Sequence, residues 1–549
     1  MGQRLSRLVL LTLVWPLQVV ACGLTQPISL SFAQSATSVE AYDLVEITAT
    51  VGPPRAGNCF TDASFTGTFR AGDQSSWRVD GFCDADDGSV FRIRFMPPRS
   101  GEYHFIVAYR QGAFERTWSG SFGAVDGRRR GPIRVDPVNR WHFIWEGTGE
   151  HYFFNGTTAY WLAGWRDDEV IASSIERLHR LKINRVRVTL AGRTSGFYGE
   201  PVMIGASWTS LNTVWPAANR QDIYHPGFDY TRFDLSHWRK FERALRFARD
   251  RDVIVSVVLD MNDSVVHPAA DSADELRFIK YAVARLAAYS NITWDLGDDL
   301  NSYRTDAWTR RTGELLKLWD PYRHLATSHP TDNRHQDRTA EWFDFTSFQE
   351  WSRNQHEFML AQRRLQSRLG RIIPQTNEEY GYEDHYPLWS HGPASESADT
   401  LRRTAWDIVM AGGYQTTGET ARRGTHIWPN TGGGWMNGRG DDTMTMLEGY
   451  AHMVDFFTSF EWWRTEPHDE LVSVGYCLAL PGVTYALYLP PAGTVDVRLE
   501  PGRYVGTWFE AATGARVAVP PFVGGPRTSL TAPGANDWAL LLERQRDSE

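Results

Sequence analysis

The feature that most constrains the fold is an alternation of apolar strand candidates with amphipathic helical stretches, which begins after Asp136. In one helical stretch, Ile171, Ile175 and Leu178 lie on a single face, near the 3.6-residue period. The eight strand candidates are 152–163, 184–190, 253–260, 292–296, 324–328, 343–348, 371–376 and 424–428. Eight successive strand-helix units predict a (β/α)8 TIM barrel over residues 136–470, with its active site at the C-terminal ends of the strands.

Short alternating runs on both sides of this region predict two flanking β domains. From residue 39 to 135 the runs have period two and are separated by Gly, Pro and Asp, a pattern typical of an antiparallel β-sandwich. The tail, residues 471–549, returns to the same pattern. The predicted fold class is therefore multidomain: a TIM barrel flanked by N-terminal and C-terminal β-sandwich domains.

The N-terminus has the pattern of an export signal. Arg4 and Arg7 precede a mostly apolar run that is too short to span a membrane, which predicts a signal peptide over residues 1–21. The run ends in Val-Val-Ala-Cys22, which resembles the bacterial lipobox and predicts a lipid anchor on Cys22 followed by a tether over residues 22–38. We expect an exported lipoprotein of the outer membrane or cell surface. An ordinary cleaved signal, giving a periplasmic or secreted protein, is the alternative.

Charge and cysteine content narrow the possible partners. Lys and Arg number 57 against 66 Asp and Glu, a net charge of -9 that argues against a nucleic-acid partner. Cys59 and Cys83 lie 24 residues apart in one β-rich region of an exported chain, which predicts a disulfide, and Cys477 is expected to be buried and inert. The cysteines match no zinc pattern. Five histidines lack metal-binding spacing and are expected to form hydrogen bonds at the rim of the site: His329, His335, His356, His385 and His426.

Two pairs of carboxylates follow strand candidates on opposite sides of the predicted barrel. Asp298 and Asp299 follow the fourth strand, and Glu378 and Glu379 follow the seventh. Carboxylates in these places can flank one scissile bond, as glycoside hydrolysis requires. Because adjacent residues of a strand point to opposite faces, only one of each pair should face the pocket. The alternative is that these acids cap the following helices.

The same segments resemble the apiosidase-like (β/α)8 glycoside hydrolases. The resemblance rests on the motifs Trp-x-Leu-Gly-x-Asp at strand four and Pro-x4-Glu-x2-Tyr-Glu at strand seven, and it spans residues 138–465. The flanking segments resemble the N-terminal β-sandwich and the collagen-binding-type β domain found beside such barrels. By position, the resemblance implies that Asp299 is the general acid/base and Glu379 the nucleophile. Asp298 and Glu378 are their rivals.

The predicted site also includes side chains that would contact a sugar. Trp428 lies where related barrels place an aromatic platform, and a Trp packed between a strand and its helix is the alternative. The candidates for substrate binding are Trp161, Arg187, Asp260, Asn262, Asp298, Gln349, Glu378, Tyr382, His426 and Trp428.

These residues together predict a retaining glycoside hydrolase. Its substrate would be a plant or microbial polysaccharide or oligosaccharide, including furanose-containing ones, and it would need no cofactor or metal. Retention rests on an expected carboxylate separation of about 5–5.5 Å, against about 6.5–9.5 Å for inversion. A non-catalytic surface lipoprotein that binds glycan or matrix is the alternative. The sequence does not predict the oligomeric state.

Overall fold

The computed structural model describes residues 28–191, 214–219, 222, 225–261, 267–383, 396–419, 438, 440 and 445–545. The segment predicted to be a signal peptide, Cys22 and four residues predicted at the site or its rim (Asn262, His385, His426 and Trp428) lie outside the described residues. Within the described ranges, no helix has the length and apolarity needed to cross a membrane.

The N-terminal region is rich in β-sheet. Its strands are β1 (Leu30–Gln34), β2 (Ser38–Glu40), β3 (Val45–Val51), β4 (Ala63–Ala71), β5 (Ser76–Asp80), β6 (Phe82–Cys83), β7 (Val90–Phe95), β8 (Gly101–Gln111) and β9 (Phe114–Val125). They form a four-stranded sheet in the order β1-β3-β7-β6 and a five-stranded sheet in the order β2-β9-β8-β4-β5. Alternate residues of these strands are buried and form the core between the sheets. The rings of Phe69 on β4 and Phe95 on β7 stack with their centroids 4.2 Å apart, which joins the two sheets.

Cys59 and Cys83 are free thiols in the structure, so it does not contain the predicted disulfide. Both side chains are buried and close together, and both Sγ atoms contact the same carbonyl oxygen of Ala85, at 3.6 and 3.1 Å. Each thiol can therefore donate a hydrogen bond to this oxygen, and neither needs a covalent bond to the other thiol. The spacing therefore predicted the proximity of the two cysteines but not their bonding state.

The central sheet has eight parallel strands: β13 (Asn155–Thr158), β14 (Arg185–Thr189), β15 (Ile254–Val258), β16 (Ile292–Asp295), β17 (Ala326–Thr327), β18 (Phe348–Gln349), β19 (Thr376–Glu379) and β20 (Tyr414–Thr417). Their order is β17-β16-β15-β14-β13-β20-β19-β18, as in a TIM-like domain. The edge strand β17 is linked to the segment that leads into the other edge strand, β18, by hydrogen bonds from Asp344 N to Ala326 O at 2.9 Å and from Thr327 Oγ1 to Phe345 O at 2.7 Å. A three-stranded sheet precedes them: β10 (Ile133–Val135), β11 (Phe143–Trp145) and β12 (His151–Tyr152).

The described helices of this domain are α1 (Asp168–Arg180), α2 (Leu235–Arg249), α3 (Ala273–Leu286), α4 (Asp306–Trp319), α5 (Gln355–Arg368), α6 (Ala398–Met410) and α7 (Met446–Phe457). Short 3-10 turns add Leu162–Gly164, Leu300–Ser302, Asn333–His335, Trp462–Arg464 and Asp469–Leu471. Side-chain N-caps fix several helix starts, as where Asp167 accepts from Glu169 N and Ser272 accepts from Glu275 N. The apolar stripe predicted for α1 is buried.

The eighth strand lies earlier than predicted. It comprises Tyr414–Thr417, whereas the apolar candidate 424–428 lies outside the described residues. This strand is polar because its side chains are satisfied inside the domain: Gln415 Nε2 donates to Asn155 Oδ1 at 2.6 Å, and Tyr380 Oη donates to Gln415 Oε1 at 2.9 Å. A search for apolar runs therefore misses it.

The N-terminal and central domains are joined by buried charges. Arg94 on β7 donates to both carboxylate oxygens of Glu242 on α2, at 2.6 and 3.1 Å, and Arg285 on α3 also contacts Glu242. Arg285 reaches back to Asp84 of the N-terminal domain at 2.9 Å. The four-stranded sheet therefore has its outer face against the helices of the central domain.

The C-terminal region is again rich in β-sheet. Its strands are β21 (Glu466–Pro467), β22 (Tyr476–Leu480), β23 (Thr484–Leu489), β24 (Thr494–Val497), β25 (Gly502–Glu510), β26 (Arg516–Gly524), β27 (Thr528–Thr531) and β28 (Trp538–Arg544). Six form one sheet, and β24 pairs with β27 in a second. Trp406 on α6 stacks on Tyr488 at 4.9 Å, and the Tyr488 hydroxyl donates to Asp537 at 2.8 Å, which anchors the region to the central domain. Cys477 is fully buried, and this burial raises the pKa of its thiol.

Candidate active site

Two arginines on β14 line the interior of the central sheet. Arg185 and Arg187 are two residues apart, so they lie on the same face of the strand, and both are fully buried. Arg185 Nη1 lies 2.6 Å from Glu378 Oε1, and Arg187 Nε lies 3.3 Å from Glu378 Oε2. Burial raises the pKa of Glu378, but Arg185 and Arg187 outweigh it and hold that pKa below its ordinary value. Glu378 is therefore an internal counter-charge.

Glu379, the next residue, lies above this ion cluster. Its carboxylate is held by Gln349, whose Nε2 donates to Oε1 at 3.1 Å, while Oε2 lies 3.4 Å from the hydroxyl of Tyr160. The residue is 5% exposed. Of the two glutamates, this one combines proximity to the strand ends with neutral hydrogen-bond donors.

Both glutamates point inward, contrary to the expectation that only one of them would. The reason is an irregularity between β18 and β19: Phe348 pairs with Asn377 and Gln349 pairs with Glu379, which leaves Glu378 without an opposite residue. An extra residue of this kind bends the strand and breaks the period-two alternation. Asn377 points outward, where its Nδ2 donates to Gln355 Oε1 on α5 at 2.8 Å.

Asp298 is the strand-four acid that the structure brings to Glu379. Its Oδ1 accepts from Arg187 Nη2 at 2.6 Å and from the Tyr160 hydroxyl at 3.0 Å. Because Tyr160 has one hydroxyl proton, the shorter contact favours donation to Asp298 over donation to Glu379. Burial raises the pKa of the Tyr160 phenol well above its ordinary value, so this side chain stays a neutral donor.

Asp299 lies at the turn that follows β16. It has a φ of 51°, in the left-handed region, and it directly precedes the 3-10 turn Leu300–Ser302. Aspartate tolerates this region better than most side chains, and strained residues of this kind cluster at functional sites. The residue is half-buried.

His329 is buried beneath both carboxylates and is not at the rim. The Ser347 hydroxyl donates to Glu378 Oε2 at 2.8 Å, so its oxygen accepts from His329 Nδ1 at 2.8 Å. Burial and the nearby Arg187 lower the pKa of His329 to about 4. The ring is therefore neutral, and the lone pair of Nε2 faces Glu379 Oε2 at 3.4 Å and Asp298 Oδ1 at 3.7 Å.

Asp295 adds a fourth acid to this interior. Burial raises its pKa to about 7, although Arg187 lies 3.8 Å away and opposes the shift. Its Oδ1 accepts from Gly297 N at 3.1 Å. The cluster thus holds one carboxyl that exchanges its proton near neutral pH.

Asp298, His329 and Glu379 offer one donor atom each within 4.8 Å of one another, a set whose chemistry could ligate a cation. The Arg187 guanidinium already contacts Asp298, and a divalent cation there would stand beside a fixed positive charge. The residues therefore fit a metal poorly, and no step below involves one.

The other predicted residues are placed as follows. Gln349 contacts Glu379 directly, and the Tyr382 hydroxyl lies 3.5 Å from that of Tyr160. Asp260 follows β15, where its Oδ1 accepts from Met261 N at 2.9 Å and its carboxylate contacts His267. Trp161 is 1% exposed, so it offers no open stacking face.

Sequence reasoning missed Tyr160, Arg185 and Ser347, and it placed His329 at the rim. Tyr160 could have been found, because it follows β13 as the predicted acids follow their strands. Arg185 and Ser347 gave no such signal, since they act through the interior of the sheet.

Comparisons with known proteins agree with this geometry. Residues 171–420 match the family model described as the apiosidase-like catalytic domain, and residues 38–110 match a domain of unknown function, DUF5060. The fold is similar to that of a "putative glycoside hydrolase" from Bacteroides vulgatus, with a TM-score of 0.76 and 20% identity over 93% of this chain and 100% of that one.

Two further structures share the fold at lower similarity. A glycoside hydrolase family 5 protein from Bacteroides vulgatus has a TM-score of 0.59 and 16% identity over 76% of this chain and 94% of that one. A third structure, named glycoside hydrolase, has a TM-score of 0.60 and 16% identity over 76% and 98%. No curated protein matches the chain. The prediction of an enzyme of the glycoside hydrolase class, with a resemblance to apiosidase-like catalytic domains, is thereby confirmed.

Proposed function

We propose that the chain is a retaining glycoside hydrolase in which Glu379 is the nucleophile and Asp299 the general acid/base. The observation that carries the proposal is the separation of the two strand-seven glutamates. The carboxylate of Glu378 forms ion pairs with two buried arginines, whereas the carboxylate of Glu379 is oriented by the neutral donor Gln349 near the strand ends. A carboxylate held by a neutral donor at the end of its strand suits nucleophilic attack.

The proposed reaction has two displacements. Glu379 attacks the anomeric carbon while Asp299 gives its proton to the glycosidic oxygen, so that the bond to the leaving sugar breaks. Water then gives a proton to Asp299 and attacks the same carbon, which releases Glu379 and returns both carboxyl groups to their starting states. Two inversions at one carbon retain its configuration.

Asp298 is not proposed as the acid. Its Oδ1 already accepts from Arg187 and Tyr160, so this oxygen has no proton to give to a leaving group. Asp298 instead suits a hydrogen bond to a sugar hydroxyl, as do Tyr382 and Asp260. We propose a plant or microbial polysaccharide or oligosaccharide as the substrate, including those with furanose residues.

The proposal extends to domain organisation and location. We propose β-sandwiches over residues 39–135 and 471–549, a barrel over 136–470, and export with lipidation of Cys22. Metabolic labelling with a radioactive fatty acid tests the anchor, since Cys22→Ala should abolish incorporation. Labelling that persists in this variant would contradict the anchor and leave the hydrolase proposal intact.

The hydrolase proposal is tested by screening glycans with reducing-end detection and following the anomeric protons of the product by NMR. We expect the first-formed product to have the anomeric configuration of the substrate. Glu379→Gln should abolish hydrolysis, and the exposed control Glu341→Gln should not change it. A first product of opposite configuration would contradict the double displacement. Glycan binding by a wild-type chain that hydrolyses nothing would favour the alternative, a non-catalytic surface lipoprotein.

A further inference from the structure

The outer face of the five-stranded N-terminal sheet forms a concave surface with a volume of about 590 Å³. All the residues that line it come from β4, β5 and β8. Along β4 and β8 the outward positions alternate with buried ones, so Thr68 and Ile106 lie at the centre of the surface while Phe69 and Phe105 belong to the core. The concavity is therefore a feature of a regular, rigid sheet.

This surface is basic, although the chain as a whole carries a net charge of -9. Arg70, Arg78, His104 and Arg110 line it, and no carboxylate does. Arg110 pairs with Glu115 at 3.1 Å, and His104 Nε2 lies 3.6 Å from Glu102 Oε1. Within the described part of the chain, neither Arg70 nor Arg78 has an ion-pair partner. Two guanidinium groups thus stand beside a cavity with no internal counter-charge.

The surface faces away from the central domain. The opposite sheet carries Arg94, which contacts Glu242 on α2, so that sheet covers the helices of the central domain. The two sheets pack through their inner faces, as the contact between Phe69 and Phe95 shows. Most of the outer face of β4, β5 and β8 is therefore on the far side, where an extended molecule has access. At the end of β5, Asp80 lies 3.1 Å from Lys280 on α3.

The spacing of the charges suits a repeating ligand. Arg70 pairs across strands with His104, and Arg110 lies six residues further along β8, a distance of about 20 Å. Between these ends lie Thr66, Thr68 and the 59% exposed Ile106. Guanidinium groups bind carboxylates in a bidentate manner, while threonine hydroxyls and an isoleucine side chain suit the hydroxyls and C–H faces of a sugar ring.

We propose that this face binds a polyuronate, an acidic glycan whose carboxylates engage Arg70 and Arg78 and whose rings lie over Ile106. The choice of a glycan over other polyanions rests on the proposed function as a glycoside hydrolase. Phe105 is the one Phe, Tyr or Trp among the residues that line this face, and its ring is buried in the core. The face therefore offers no ring for the stacking that holds single-stranded nucleic acids, which also favours a glycan. The site would hold the enzyme on its acidic substrate or on an acidic neighbour of it.

The test is affinity electrophoresis of the full chain in native gels with and without polygalacturonate. We expect the wild type to be retarded by polygalacturonate and not by a neutral galactan, with retardation that falls as salt is added. Arg70→Gln with Arg78→Gln should weaken the apparent affinity at least tenfold. The matched control is Arg364→Gln with Arg368→Gln, which removes the same charge from exposed positions of α5 and should leave the affinity unchanged.

A second variant tests the same face while keeping both arginines. Ile106→Glu places a carboxylate at the centre of the face, at an exposed position where folding should be unaffected, and should also abolish retardation. Equal retardation of the wild type and the double variant would overturn the proposal. Binding to vesicles of anionic lipid without binding to polygalacturonate would also overturn it.

The outcome is separable from that of the hydrolase proposal. Glu379→Gln should be retarded like the wild type, because Glu379 is in the central domain. Hydrolysis of a glycan without polygalacturonate binding would refute this inference alone, and polygalacturonate binding without hydrolysis of any glycan would refute the hydrolase alone.

Discussion

Nε2 of His329 lies 3.4 Å from Oε2 of Glu379, and it presents a lone pair to that carboxylate because Nδ1 donates its proton to Ser347. Two electron-rich atoms in contact destabilise the ionised carboxylate. Bond formation from Glu379 to a sugar carbon would remove the negative charge and relieve the repulsion. The contact therefore raises the energy of the resting state relative to the transition state, which is the requirement for faster chemistry.

Replacing Ser347 tests whether the proton of the His329 ring is on Nδ1. In Ser347→Ala, Nδ1 loses its acceptor, so the proton can move to Nε2 and donate to Glu379. The ionised form of Glu379 is then stabilised, and we expect the acidic limb of the kcat/KM profile to move down by about 0.5–1 pH unit. We also expect kcat to fall by about tenfold. The exposed Ser352→Ala is the control, and an unmoved acidic limb in Ser347→Ala would refute the tautomer assignment.

The adjacent glutamates should give opposite phenotypes. Glu378→Gln removes the acidic partner of the buried Arg185 and one of the acidic partners of Arg187, and we expect the free energy of unfolding to fall by about 3–5 kcal/mol. Glu379→Gln keeps a side-chain oxygen that can accept from Gln349 Nε2, so its stability should stay within about 1 kcal/mol of the wild type while activity is lost. Urea denaturation followed by circular dichroism, beside an activity assay, measures both. Equal stability losses in the two variants would contradict the division of roles.

Glu378 and Glu379 also show what the sequence could and could not predict about the site. The position of the strands is set by topology, so reading polar residues on the strands and at their ends found Asp298, Glu379, Arg187 and Gln349, which the structure brings together. Their division of labour depends on the register shift beside Glu378. A one-residue irregularity leaves no mark on hydrophobic periodicity, because it is decided by contacts between strands distant in sequence.

The position of the eighth strand was predicted wrongly for a related reason. Periodicity detects burial of apolar groups, whereas Gln415 and its neighbours are buried polar groups whose partners are distant in sequence. The prediction that His329 lies at the rim was wrong for the same reason. His329 follows a strand of only two residues, and nothing local indicates that Ser347 orients it.

Asp298 and Asp299 can be separated by their dependence on the leaving group. Asp299→Asn should slow substrates with sugar leaving groups by about 10²–10⁴-fold, and aryl glycosides with acidic leaving groups much less, since these need no proton. Added azide should restore turnover of the aryl substrate in this variant. Asp298→Asn keeps an oxygen acceptor for Tyr160, so we expect a similar loss with both kinds of substrate. A leaving-group dependence found only in Asp298→Asn would transfer the acid role to Asp298.

Asp295 should make stability depend on pH in an unusual direction. Its pKa in the folded chain is raised to about 7 from an ordinary value near 3.8. Between these values the folded chain keeps a proton that the unfolded chain releases, so this residue's contribution to stability falls as pH rises and is constant above pH 7. The slope is about 1.4 kcal/mol per pH unit at most. Other groups titrate with the opposite sign, so the useful quantity is a difference between variants.

Asp295→Asn removes the titrating group while its side-chain oxygen can still accept from Gly297 N. We therefore expect the free energy of unfolding of the variant, minus that of the wild type, to increase steadily from pH 4.5 to about pH 7 and then level off. The exposed Asp126→Asn should show no such trend. A difference that is flat over this range would mean that Arg187 outweighs burial, and that Asp295 is ionised throughout.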